Sequence, residues 1–274
     1  MTYDSLVGLK PEEYQHPGEK VAMKVLKSIP LADTLSGKYV EMMVKLNDYP
    51  QAVGNYYRIT EKTNPRIYNL YKIALKRLDV HEEYPLFSKM DYYYNACAIG
   101  GASPLIVLNS SIISNFTDAE LLHTIGHEIG HIKSGHVIYS IIATQLNSIL
   151  AGTGNVGAIF SEGISYAIME WLRNAEYTAD RAGLIASGGD FDSFVSEKIK
   201  YLGYSKDTKD IDFSLESILA QAEDFNLEIS DPIGKMLFVT KTARQTHPWT
   251  ILRIKQMHDW YTSGDFEKVI KNHL

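Results

Sequence analysis

The 274-residue chain has one cysteine, Cys97, so no intrachain disulfide can staple it and a reducing compartment is favoured. It also lacks an excess of basic charge. Its 27 Lys and Arg stand against 33 Asp and Glu, a net charge of −6, with no obvious basic patch for nucleic acid or an anionic surface. The first twenty residues carry Asp4, Lys10, Glu12, Glu13 and Lys20 in place of an apolar run, which argues against a signal peptide. A cytoplasmic location is therefore expected. Disorder is excluded by a hydrophobic content of 45% with charged residues at 22%.

A long apolar run is missing too. Val137 to Ser161 has no formal charge, but Thr144, Gln145, Asn147 and the glycine-rich Gly152-Thr153-Gly154-Asn155 break it. Two core helices are expected there, so no stable membrane insertion is expected, and peripheral membrane contact is left open. The glycine-rich piece lacks the Lys-Ser/Thr ending of a phosphate-binding loop. No serine lies in a GxSxG elbow, and Cys97 has apolar neighbours, so it is expected to pack and not to attack.

Apolar spacing predicts helices around Val21 to Ile29, Tyr39 to Leu46 and Ile67 to Leu78. Tyr92-Tyr93-Tyr94, Ala96 and Ile99, then Gly100-Gly101 and Leu105 to Leu108, predict a small antiparallel sheet with a turn near Gly100. Its edge could hold an extended peptide by backbone bonding. Thr117-Asp118-Ala119-Glu120 has capping-box spacing and should start a helix with an apolar stripe at Leu121, Leu122, Ile125, Ile129 and Ile132. A long helix is predicted over Ala158 to Leu184. Further helices are expected over Phe191 to Leu202, Ser214 to Phe225, Pro232 to Phe238 and Ile251 to Tyr261.

The capped helix carries His127-Glu128-Ile129-Gly130-His131, an HExxH motif. Histidines four apart share a helical face and can ligate one Zn2+ ion, with the glutamate between them directed at a water as general base. His123 falls on nearly the same side as the pair, and His136 lies near the helix end; both are expected to pack or bond beyond the metal. On the next helix Glu176 and Asp180 stand four apart, so one carboxylate can reach the metal while the other supports an imidazole. Glu176 is the third-ligand choice over Glu162 and Glu170, neither of which has an acid four residues later.

These marks, with Asn95-Ala96-Cys97-Ala98 before the glycines and Thr246-His247-Pro248 with Arg253 and Ile254 after them, resemble peptidase family M48 from about Tyr84 to Met257. The resemblance implies a mainly helical α+β, zincin-like peptidase fold, with residues 83–274 as the peptidase part and 1–82 as a helical region packed on it. It implies one catalytic zinc on His127, His131 and Glu176, with Glu128 as general base and Asp180 in support. The segment near Asn95 would guide substrate, His247 would steady the oxyanion and Arg244 would orient a nearby acid or terminus. Arg253 is assigned to a structural salt bridge.

The expected activity is endopeptidase hydrolysis of an extended peptide or unfolded protein through a metal-activated water. Its alternative is a zinc-stabilised binding or scaffold protein with an occluded site. The clear membrane spans of many M48 relatives are missing here. Oligomeric state is not legible in the sequence.

Overall fold

In the computed structural model the described residues are 3–27, 49–100, 103–137, 154–205, 208, 210–228, 231, 241 and 247–274. The expected helices at Tyr39 to Leu46 and Pro232 to Phe238, and residues 138–153 of the uncharged stretch, lie outside them. No helix among the described residues is long and apolar enough to cross a membrane.

Two helices, α1 (Pro11–Tyr14) and α2 (Pro17–Lys27), open the chain. In α2 Val21, expected on the apolar face, is 66% exposed, while Glu19 and Ala22 are buried. Strand β1 (Tyr57–Ile59) precedes α3 (Pro65–Arg77), which starts with proline at its first position and the Asn64 side chain accepting from Ile67 N. Its Ile67, Leu70, Tyr71 and Ala74 are buried as their spacing predicts, with Leu78 just beyond the helix.

Strands β2 (Leu86–Lys89), β3 (Ala96–Ile99) and β4 (Leu105–Asn109) complete a sheet in the order β1-β2-β4-β3. The expected β3–β4 hairpin is present. It turns at Gly100, whose φ of +109° suits glycine and whose carbonyl accepts from Ser103 N at 2.9 Å. The sheet is nevertheless mixed, because β4 folds back between β3 and β2 and so runs parallel to β2. Burial of all five β4 residues explains its unbroken apolar run. Tyr92 and Tyr93, expected with the strands, stand in the exposed loop before β3. Among the described residues β3 is the last strand in the order.

After α4 (Ser110–Asn115), the capping box forms as predicted and starts α5 (Asp118–Lys133). Thr117 Oγ1 accepts from Glu120 N at 3.3 Å, and Glu120 Oε2 accepts from Thr117 N at 2.7 Å. The long α6 (Gly154–Ala186) crosses α5 so closely that a Cβ on Gly126 would lie 2.2 Å from Ala186 Cβ, and one on Gly130 only 2.5 Å from Ala182 Cβ. Ala179, Ala182 and Ala186 are fully buried in that seam. The small residues let the two helices approach through their backbones and set the distance between their functional side chains.

Helices α7 (Phe191–Tyr201) and α9 (Thr250–Thr262) pack on α5 and α6 respectively, and α8 (Leu215–Glu228) and α10 (Asp265–Lys271) pack on α9. One apolar core runs from Leu6, Leu9 and Tyr14 through α3, α5 and α6 to Met257 and Ile270. The fold is α+β and mainly helical, with the sheet beside the HExxH helix.

Candidate metal centre

Three side chains from the α5–α6 crossing converge on one point. His127 Nε2 and His131 Nε2 lie 3.1 Å apart, and the Glu176 oxygens lie 3.5 Å from His127 Nε2 and 3.3 Å from His131 Nε2. A tetrahedral zinc with bonds of about 2.0–2.1 Å needs ligand atoms roughly 3.3 Å apart. The donor set therefore fits such an ion, and among the described residues it is the group able to hold one. Glu176 Oε2 is buried without a hydrogen-bond partner, as suits an oxygen whose partner is a cation. The Arg253 Nη1 atom sits 3.3 Å from it as an ion-pair neighbour.

The surrounding charge favours a cation. Burial raises the Glu176 pKa, but His247, His131 and Arg253 outweigh it and hold the carboxyl well below its usual range. Burial of His127 disfavours its charged form, yet bonds to Asp180 and Glu176 raise it to about 9. The first shift keeps Glu176 an anionic donor, and the second reports the two carboxylates that face His127.

Asp180 supports this arrangement from one turn along α6. Its Oδ1 lies 3.0 Å from His127 Nδ1, so that ring donates from Nδ1 and turns Nε2 toward Glu176. Arg253 grips the same carboxylate with two donors at 2.7 and 2.5 Å, and Lys198 Nζ stands 3.3 Å away. The Arg253 salt bridge expected from the sequence is present and reaches into the site itself. Burial raises the Asp180 pKa, but Arg253 and Lys198 overcome it and hold the group ionised.

The other histidines take supporting places. His123 is fully buried, between the Glu197 carboxylate and the Asp180 carbonyl, with Nε2 3.3 Å from the latter. His136 is buried and places its Nδ1 2.9 Å from His131 Nδ1. Glu170 faces outward, bonded to Arg173 and Asn174, while the Glu162 side chain and Arg244 lie outside what the structure describes.

A cavity of about 290 Å³ opens on His127 and Glu176, lined also by Glu128, His247, Arg253, Tyr94, Asn95 and Ala96 among others. Glu128 is buried within it, and His247 projects from the opposite wall with Nε2 3.4 Å from Glu176 Oε1. The outer end of β3, where Asn95 and Ala96 stand, thus borders the cleft. Glu197, Lys198 and Tyr201 of α7 form another wall. Nothing in their sequence spacing signalled this, since a Lys next to a Glu on a helix most often reads as a solvated pair. Cys97 is partly buried against Phe87, Leu105 and Val107, as expected of a packing residue.

The model of peptidase family M48 matches residues 61–261, which include the convergent side chains, the edge strand and the His247 wall. The chain belongs to peptidase family M48. This M48 chain is similar to plastoglobule-localized metallopeptidase 48, chloroplastic, of Arabidopsis thaliana, at 26% identity over 269 residues, covering 96% of this chain and 76% of the relative. No solved structure matches it. Membership identifies a metal-dependent peptidase whose substrates are peptides or proteins.

Proposed function

We propose that the protein is a zinc-dependent endopeptidase acting on an extended peptide or unfolded protein. The observation that carries this reading is the convergence of His127, His131 and Glu176 beneath a cleft that also contains Glu128. A zinc ion held by these three side chains would supply a Lewis acid and a water of lowered pKa.

Glu128 takes a proton from the attacking water and passes it to the departing amine, so no covalent bond to the protein is needed. His247 steadies negative charge as it grows on the carbonyl oxygen. Asp180 fixes the ring of His127, and Arg253 fixes Asp180. β3, the end strand of the sheet among the described residues, aligns the substrate backbone as an added strand, which favours extended chains over folded ones. Residues 1–82 are read as a region beside a catalytic part of residues 83–274, a division supported by the apolar core that the described residues of both share.

The single cysteine supports a reducing compartment such as the cytoplasm. Fractionation of the tagged protein against cytosolic and lipid-particle markers decides between that place and the one in the plant relative's name.

The test of the mechanism is Glu128→Gln, which preserves size and removes the base. The variant is expected to fold and keep zinc while cleavage of a labelled unfolded protein disappears. Cleavage at the wild-type rate by purified variant would overturn the mechanism.

A further inference from the structure

The two convergent imidazoles are not supported alike. His127 meets a carboxylate directly, through Asp180. His131 meets another imidazole, His136, at 2.9 Å between their Nδ1 atoms. The far nitrogen of His136 then reaches a carboxylate, with Nε2 3.2 Å from Glu19 Oε1. Both His136 and Glu19 are almost wholly buried, at 2% and 1% exposure, and His136 is braced edge-on against the buried Trp171.

Glu19 is held for this contact. Gln15 Nε2 donates to its Oε1 at 2.8 Å, and the Thr178 hydroxyl donates to its Oε2. Thr178 stands between Glu176 and Asp180 on α6 and itself accepts from His16 N at 2.9 Å. Close seating of α2 makes this reach possible: a Cβ on Gly18 would come within 2.1 Å of Asn174 Oδ1.

The proton positions follow from the donors and acceptors. A carboxylate only accepts, so His136 must carry its proton on Nε2 and accept on Nδ1. His131 must then donate from Nδ1, which leaves the lone pair of its Nε2 facing His127 and Glu176. We propose that Glu19 is a positioning residue that sets the metal-binding tautomer of His131, acting through His136. The N-terminal α2 helix thereby becomes part of the metal centre's support, equivalent on the His131 side to Asp180 on the His127 side.

This relay rests on the reading of His131 as a metal ligand, so the experiment tests the two separately. Zinc affinity is measured by competition with a chromophoric chelator for wild type, Glu19→Gln, His136→Gln, the double variant and Glu176→Gln. In Glu19→Gln the new amide can donate to His136 and reverse the proton order, and affinity is expected to fall about 10–100-fold. His136→Gln should fall similarly, with the double variant no weaker than the worse single one, because both cut the same chain.

Unchanged affinity in Glu19→Gln, or losses that simply add, would overturn the relay provided that Glu176→Gln loses zinc. Full affinity in Glu176→Gln would instead overturn the metal-centre reading and the relay with it. A second measurement needs no substitution. Nitrogen chemical shifts in zinc-loaded wild-type protein should show the His136 proton on Nε2, and a proton on Nδ1 overturns the relay whatever the variants do.

Discussion

Asp180 and Arg253 form a two-pronged ion pair, Nε to Oδ2 at 2.7 Å and Nη2 to Oδ1 at 2.5 Å, buried directly behind the His127 ring. The pair ties α9, late in the chain, to the α5–α6 crossing. Asp180→Asn should weaken zinc about 10–100-fold by releasing the His127 ring. It also leaves Arg253 and Lys198 buried beside a neutral amide, a loss of roughly 3–5 kcal/mol for a broken buried pair. Chelator competition and urea unfolding measure the two effects separately.

The seam between the metal-binding helices has no room for a methyl group. Gly130→Ala would place a carbon 2.5 Å from Ala182 Cβ and is expected to cost about 1–3 kcal/mol in urea unfolding. Ala182→Gly in the same chain should recover part of that loss. Failure of the second change to help would show that the strain is relieved elsewhere.

His247 has a different signature. With only a charge-steadying role, His247→Ala should lower kcat about 100–1000-fold while zinc affinity stays at the wild-type level. A change confined to KM would assign the side chain to substrate binding.

Acid should attack the wall behind the site. Burial raises the Glu197 pKa, but Lys198 and His123 outweigh it and hold the carboxyl at about 2. Its folded value is thus depressed below the usual glutamate range near 4.3, so its stabilisation is fully present above that range and is lost as pH falls toward 2. The amount is on the order of 3 kcal/mol. Wild type should exceed Glu197→Gln in unfolding free energy at pH 6, with the gap narrowing steadily from pH 5 to pH 3.

Much of the centre was legible because it depends on local spacing. His127 and His131 share a face at i and i+4, Glu176 and Asp180 repeat that geometry, and the Thr117–Glu120 box fixes where α5 begins. The supporting residues were not legible, since their partners are distant in sequence: Glu19 meets His136 across 117 residues, and Lys198 meets Asp180 only because α7 packs on α5 and α9. Val21 misled for a related reason. Val21 fits an apolar pattern, yet the position that turns inward belongs to Glu19, whose burial becomes tolerable only with Gln15, His136 and Thr178 around it. The parallel β2–β4 pairing was hidden because periodicity shows which faces are buried and not which strands are neighbours.

The bare contact of Gly126 and Gly130 with α6 also has a mechanical consequence. Where backbones touch, no side chain between them can change rotamer to let the helices slide, so α5 and α6 behave as one stiff jaw. Widening the mouth for a bulky chain must then come from the opposing parts, α7 with Tyr201 and the His247 segment, pivoting against a fixed base. Because Lys198 and His247 also touch Asp180 and Glu176, a shift of those walls is felt at the convergent side chains as well.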